Sequence, residues 1–361
     1  MRAMPHTYRA LASELVRLRA LTSERAEAGL AKVAEWGDLD EEAELPDLFE
    51  ALREFGLTIH VPDKVNTLLD GYTWLIEEAV ACAGGSMIID DIELFEDEDD
   101  EDEDDLLHFR RDGHSIWWSL EHQSARYLDL MTVWENLHDL APGGSDPRGY
   151  FQIMEEGQGS VGYYLLITPE QARALRDGLG LPLDEHGIFG PPGNPPTAEP
   201  GTLDYYMQDD RRYMDDESCA FLDAWLADMD AELDRWRARH LPADFPFDFT
   251  PASLSALKAL LLAGPDLPDD FADGAVRYIG ETAVRTWPCR WAYRHSRGDN
   301  PYTGVPLIRS NTPGDLMSVV VPRDIIEALL SGRDPGRLNE DLEEIPDAVS
   351  RYERAVSLKN G

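Results

Sequence analysis

Long apolar runs are missing from this sequence of 361 residues, and so is a recognisable leader segment. No stretch approaches the about 18 uninterrupted apolar residues of a membrane-spanning helix. The opening segment, MRAMPHTYRALASELVRLRAL, has charges among its apolar residues and lacks the apolar block of a signal peptide. We therefore expect a cytoplasmic protein with no membrane partner.

Cysteine is also scarce. The three cysteines, Cys82, Cys219 and Cys289, are far apart in the sequence and form no C-x-x-C pair. Disulfide frameworks and cysteine-based metal sites need paired or closer spacing. We expect three isolated thiols in or near packed regions.

Basic residues are few, with 32 Lys and Arg against 71 Asp and Glu, which gives a formal net charge of −39. The imbalance is concentrated in the first part of the chain, because residues 246–361 hold 17 acidic and 13 basic residues. A field of this sign repels phosphate backbones, so we expect no nucleic-acid partner. It attracts a basic protein. The alternative is that the acidity serves only solvation.

Motifs that would identify a reaction are absent. The sequence has no G-x-S-x-G elbow, no Walker-A loop, no H-E-x-x-H and no G-x-G-x-x-G that opens a helix. The ten consecutive acids from Glu96 to Asp105 lack the glycine and the alternating spacing of a calcium loop. We expect no cofactor and no specific metal site, and we lean towards a non-enzymatic protein.

One enzymatic alternative stays open, a metal-assisted hydrolase that uses His108, His114 and His122 with neighbouring acids such as Glu121. Histidines that bind one ion through bonds near 2 Å have ring nitrogens within about 3 to 4 Å of each other. The mutual distance of these rings therefore tests the alternative.

The hydrophobic pattern predicts an α+β protein of two domains, each a small antiparallel sheet packed with helices, with a helical segment at the N-terminus. Helices are expected over 7–35, 46–56, 62–83 and 215–240. SMIIDDIELFE predicts a strand, and Asp112-Gly113 predicts the turn of a hairpin in LLHFRRDGHSIWWSLE. Thr168 and Pro169 predict a helix start.

The segment HGIFGPPGNPPTAEPG, with five prolines and four glycines, is typical of a linker. We divide the chain into an acidic α+β domain (1–185), a Pro/Gly linker (186–203), a connecting helix (204–245) and a C-terminal α+β domain (246–361).

Two groups of residues are candidates for binding a partner. The acidic run connects two predicted strands, and aromatic residues follow it closely. Successive side chains of a strand point to opposite faces, so only one of Trp117 and Trp118 lies on the core side unless both faces of the sheet are covered. The second group lies in RTWPCRWAYRHSRGDNPYTGVPLIR, the one stretch that is both basic and aromatic. The alternative is that its arginines pair with acidic residues of the same chain and its tryptophans build the core. The candidates are Glu96, Asp97, Asp100, Asp104, Trp117, Trp118 and Tyr127 in the first group, and Trp287, Arg290 and Trp291 in the second.

The segments FTPASLSALKALLL, FADGAVRYIGETAVRTWPCRWAY, GVPLI and PRDIIEALLSGRDPGRL resemble an uncharacterised actinobacterial domain family, over residues 246 to 345. The resemblance implies a helix, a longer helix with YIGE, a tryptophan strand and a closing helix, and no assigned activity. The first half resembles the acidic α+β immunity proteins of bacterial toxin systems, which implies a basic protein partner.

These observations favour a non-enzymatic cytoplasmic binding protein, of immunity type or regulatory, whose acidic first half captures a basic protein. The hydrolase above and a structural protein whose acidity is only solvation are the alternatives. Deletion of residues 96–105 separates capture from solvation, because only capture slows when the charge is removed.

Overall fold

The structure is a computed structural model that describes residues 6–62, 64–96, 104–122, 124–155, 159–263, 268–293, 304–331 and 334–360. The chain divides into two compact units, Met1–Asn194 and Pro195–Gly361. The division falls inside the predicted linker. Each unit combines helices with antiparallel sheet, so the protein is α+β. Within the described residues, no helix is both long enough and apolar enough to cross a membrane.

The first unit holds these described helices and strands in chain order: α1 Tyr8–Arg17, α2 Ser23–Val33, α3 Leu45–Glu54, β1 Thr58–His60, α4 Leu68–Ala83, β2 Ile89–Phe95, β3 Asp105–Arg111, β4 His114–Leu120, α5 Leu130–Glu135, a 3-10 turn at Leu137–Asp139, β5 Gly149–Glu155, β6 Gly159–Ile167, α6 Pro169–Leu179 and β7 Ile188–Phe189. The strands form two sheets rather than the single sheet expected, in the orders β1-β6-β5-β7 and β2-β3-β4. The helix α4 contacts both sheets.

Residues of the β5–β6 hairpin alternate between two cores, as the period of two in a strand requires. Phe151 and Leu165 pack against α1, α2, α3 and α6. Tyr150, Tyr164 and Leu166 point the other way, into the core that contains α4 and one face of β3 and β4. The four-stranded sheet is therefore covered on both faces.

Local backbone signals explain where the helices of this unit begin and end. The predicted helix over 7–35 is interrupted, because Arg19 has a φ of 60° and the Thr22 side chain caps a new helix. Thr168 and Gln171 form a capping box at the start of α6, as the sequence predicts. Asp112 and Gly113, with φ of 50° and 84°, make the predicted turn between β3 and β4.

The second unit holds these described elements: α7 Leu203–Arg212, α8 Asp216–Ala227, α9 Met229–His240, α10 Pro251–Ala263, α11 Asp269–Thr286, β8 Cys289–Tyr293, β9 Pro306–Ser310, a 3-10 turn at Gly314–Leu316, β10 Val319–Val320, α12 Pro322–Leu330 and α13 Arg337–Asn360. The sheet order is β10-β9-β8. The predicted connecting segment 204–245 contains three helices, α7, α8 and α9, and the single helix expected over 215–240 is α8 and α9. Leu222, Leu233 and Trp236 on these two helices belong to the core of this unit.

The glycine of the YIGE segment has a packing role. Gly280 lies on α11, and a Cβ atom placed on it would be 2.1 Å from the ring of Trp291 on β8. That distance is too short for any side chain, so the indole packs directly on the helix backbone. The tryptophan strand and the long helix are therefore in close contact.

Candidate functional site

The acidic run joins β2 to β3, which pair as antiparallel neighbours. Asp97 and Asp100 lie outside the described residues, whereas Glu96 is exposed at the end of β2. Asp104 accepts a hydrogen bond from the Ser119 hydroxyl at 2.8 Å, and the Asp105 carboxylate lies 2.6 Å from Nδ1 of His122. The C-terminal end of the run is therefore anchored to β4 and to the residues that follow it.

A hydrogen-bonded chain continues from Asp105 into the core. Nε2 of His122 lies 2.9 Å from the Tyr72 hydroxyl, which also accepts the backbone N–H of Asp129 at 3.0 Å. Burial raises the pKa of the Tyr72 hydroxyl, so this group stays neutral. These hydrogen bonds link β3, α4 and the start of α5, and their role is structural.

The two adjacent tryptophans correct the expectation that one of them lies on the surface. Trp118 packs into the core with α4, and its ring meets Phe109 edge-on at 5.4 Å. Trp117 lies on the opposite face, between Phe95 and His108, with ring centroids at 5.8 and 4.5 Å. Both indoles are buried, so neither is available to contact a partner.

Exposed apolar side chains instead cluster at α5 and just before it. Leu130 and Trp134 are one helical turn apart and share a side of the helix. We refer to the following four residues as the α5 patch, with their exposed fractions: Tyr127 49%, Leu130 48%, Met131 63% and Trp134 46%. Tyr127 is a candidate from the sequence. Leu130, Val133, Trp134 and Leu137 have the spacing of a single apolar helix face, yet only Val133 and Leu137 are buried.

The end of β4 connects α5 to the acidic run. The Ser119 hydroxyl donates to Asp104 at 2.8 Å, and the Thr132 hydroxyl, which donates to the Asp129 carboxylate, lies 3.3 Å from the backbone carbonyl oxygen of Ser119. The Glu121 backbone N–H donates to Asp129 at 3.0 Å and fixes the N-terminus of α5 to the end of β4. The α5 patch therefore adjoins the carboxylates at the C-terminal end of the run.

Asp129 is the N-cap of α5, and it supports the α5 patch. Burial alone would raise the pKa of its carboxyl, but hydrogen bonds from Thr132 and from the backbone N–H groups of Glu121 and Met131 lower this pKa below its ordinary value. A carboxyl group whose pKa is lowered in the folded state stabilises the fold at pH values above its ordinary pKa. The stabilisation is lost as the pH falls through the folded-state pKa.

We expect Asp129→Ala to destabilise the protein by about 1 kcal/mol at pH 7, as for other N-cap losses, and by less near pH 3. Asp129→Asn keeps a capping oxygen and loses the charge, so it should cost less than alanine at pH 7. Denaturant unfolding of the three proteins at both pH values measures this. An equal loss of unfolding free energy in Asp129→Ala at the two pH values would contradict the assignment of Asp129 as a charged N-cap.

The three histidines of the hydrolase alternative lie in separate environments. His108 pairs with Trp117 in the β3–β4 register and shares its face of the sheet, whereas His114 pairs with Arg111 and lies on the opposite face. His122 follows β4 and contacts Asp105 and Tyr72. Among the described residues, one group of His, Cys, Asp or Glu side chains has metal-ligand spacing, and it contains His108 alone of the three.

No protein-family model, curated protein or solved structure matches this chain. The likeness to an actinobacterial domain family and to immunity proteins therefore stays a prediction from the sequence.

Two of the three candidates in the basic and aromatic stretch of the second unit, Arg290 and Trp291, are buried. Nε and Nη2 of Arg290 lie 2.6 and 3.0 Å from the Asp210 carboxylate, and both residues are buried. Trp291 is buried, and its indole N–H donates to Glu281 at 2.9 Å. Trp287 is half-buried against the same core. Arg290 and Trp291 therefore hold the unit together and do not form a contact surface.

The cysteines are free thiols, as expected. Burial raises the pKa of both Cys82 and Cys289 to about 12, so each stays a neutral thiol at neutral pH. A protonated thiol is a poor nucleophile and a poor metal ligand. These two residues are packing residues, and Cys219 is half-buried.

Proposed function

We propose that this chain is a non-enzymatic binding protein whose first unit captures a basic protein through the α5 patch and the adjoining carboxylates. The exposure of Tyr127, Leu130, Met131 and Trp134 beside the acidic run carries the proposal. Exposed apolar groups that lie together are typical of protein interfaces. Tryptophan and tyrosine are the residues that most often dominate binding energy.

The charge of the chain supports a basic partner. Most of the net charge of −39 lies in residues 1–245, because the remaining residues are nearly balanced. Such a field accelerates the approach of a positively charged surface and disfavours acidic partners and nucleic acids. The carboxylates therefore supply speed and selectivity, and the apolar side chains supply affinity.

We place this capture in the cytoplasm, in an immunity-type or regulatory role. The support is the likeness of the acidic first half of the chain to the immunity proteins of bacterial toxin systems. In such a role, a tight complex blocks or modulates the basic partner, and no substrate is transformed.

Affinity capture from a lysate of the source organism tests the proposal, with the wild-type protein, Trp134→Ala and Trp36→Ala as baits. Trp36 is a matched control, because it is an exposed tryptophan of the same unit that follows α2 and contacts Tyr8. We expect one basic protein in stoichiometric amount on the wild-type and Trp36→Ala baits, eluted by high salt. Trp134→Ala should weaken binding by about 2 kcal/mol or more, the loss typical of a hot-spot residue.

Recovery of the same basic protein on all three baits, in equal amount, would show that the α5 patch is not the contact surface. Recovery of no basic protein on any bait would contradict the proposed function itself.

A further inference from the structure

The strand β2 has an irregularity beside its neighbour β3. The register shifts between Asp90 and Glu93, and Asp91 has a φ of 59°, a backbone conformation that residues other than glycine rarely adopt. A bulge of this kind bends a strand and re-aims a side chain. Here it brings Asp91 and Glu93 together beside His108 on β3.

The three side chains converge. One ligand atom each from Asp91, Glu93 and His108 lies within 4.8 Å of the other two, and Nδ1 of His108 is 3.9 Å from a carboxylate oxygen of Glu93. Ligands of one zinc ion, with bonds of about 2.0–2.2 Å, are separated by about 3–3.5 Å. Side-chain rotations that bring all three separations into this range would complete a set of three protein ligands.

His108 is held in the orientation that a ligand needs. The ring is buried, it packs on Trp117 with centroids 4.5 Å apart, and Nε2 lies 3.1 Å from the Ser115 hydroxyl. Histidines that bind a metal through one ring nitrogen almost always use the other nitrogen as a hydrogen-bond donor. Ser115 therefore contacts Nε2, while Nδ1 is the ring nitrogen that lies 3.9 Å from the Glu93 carboxylate.

We propose that Asp91, Glu93 and His108 form a binding site for a divalent first-row transition ion such as Zn²⁺. The imidazole nitrogen favours such an ion over Ca²⁺ or Mg²⁺, which prefer oxygen ligands. Arg110 limits the affinity, because its Nε lies 2.9 Å from Asp90 and 3.5 Å from Asp91. The net negative charge of the chain acts in the opposite direction, since it concentrates cations near the surface.

Zn²⁺ titration of the full chain by calorimetry tests the proposal. The wild-type protein should show one saturable site above the diffuse binding to the acidic run. We expect His108→Gln to remove this site, and Asp91→Asn or Glu93→Gln to weaken it by at least about tenfold. Glu96→Gln removes the same charge from the end of the same strand, and it should leave the site intact. Equal losses of Zn²⁺ affinity in Glu93→Gln and Glu96→Gln would mean that charge alone attracts the ion, and would overturn the proposal.

Two further measurements keep the test decisive if His108→Gln unfolds. Ser115→Ala keeps all three ligands and removes the orienting hydroxyl, so Zn²⁺ affinity should fall by about tenfold while circular dichroism stays unchanged. A Ca²⁺ titration should give the same weak binding in the wild type and in Glu93→Gln. Unchanged Zn²⁺ affinity in Ser115→Ala together with unchanged affinity in Asp91→Asn would exclude a site at this position.

Discussion

Replacing Asp210 with alanine is expected to destabilise the second unit by about 3–5 kcal/mol, the usual cost of breaking a buried ion pair from one side. Asp210 on α7 pairs with Arg290 on β8 and with Arg309 on β9, whose Nη1 lies 2.5 Å from it. Arg290 also donates to the backbone carbonyl of Ser310 at 2.6 Å. Loss of the carboxylate leaves two guanidinium groups without their common counter-charge, and Arg290 is buried.

Asp209→Ala is the matched control for this substitution. Asp209 is the preceding residue of the same helix, it pairs with Arg212 at 2.9 Å, and it is exposed enough for solvent to screen the pair. Such pairs contribute about 0–1 kcal/mol. Denaturant unfolding combined with hydrogen exchange of β8 and β9 measures both variants. Equal effects of the two substitutions would contradict the structural role of Asp210.

Trp118→Ala should destabilise the first unit by about 3–5 kcal/mol, as large-to-small core substitutions of aromatic residues do. The indole is buried between the three-stranded sheet and α4, so its removal leaves a large cavity. The indole N–H also donates to the buried Asp139 at 3.0 Å. Without this donor, the carboxylate loses a hydrogen bond in a site that water reaches poorly.

Trp134→Ala is the control for the first unit, because it removes the same side chain from an exposed position. We expect this variant to change the free energy of unfolding by no more than about 0.5 kcal/mol. Unfolding curves of the two variants, followed by far-UV circular dichroism, make the comparison. A large loss of stability in Trp134→Ala would mean that this residue is part of the core and not of a contact surface.

Features that depend on neighbouring residues were predictable from the sequence. The turn at Asp112-Gly113 and the cap at Thr168 are determined by local backbone preferences, and both are present as predicted. The α+β class follows from hydrophobic periodicity for the same reason.

Features that depend on tertiary contacts were not predictable in the same way. The strands β1 and β7 have three and two residues, too few to show an alternating pattern, and yet they complete the four-stranded sheet. Of the ten residues from Leu130 to Asp139, four are buried and four are exposed, and the spacing of a helix alone does not show that Leu130 and Trp134 are among the exposed ones.

The candidate residues also divide into those that their sequence position identified and those whose environment depends on tertiary contacts. Tyr127 was identified from its position after the acidic run, and it is exposed. Trp117 was a candidate because it follows the acidic run, and Arg290 because it lies in the basic and aromatic stretch. The burial of both depends on long-range pairing that sequence spacing does not encode. The convergence of Asp91 with His108 depends on a bulge, for which the two adjacent acidic residues Asp90 and Asp91 within the strand Ile89–Phe95 were the available signal.

The association rate of the captured basic partner tests the central claim most directly. The variant replaces the seven acids from Asp97 to Glu103 by their amides and keeps Asp104 and Asp105, which have structural hydrogen bonds. Stopped-flow measurements cover salt concentrations from about 0.01 to 1 M, over which the Debye length falls from about 30 to about 3 Å.

The wild-type protein should associate at least about tenfold faster than the variant at low salt, and the two association rates should converge at high salt while the dissociation rates stay similar. Equal association rates of the two proteins at low salt would contradict electrostatic capture by the acidic run.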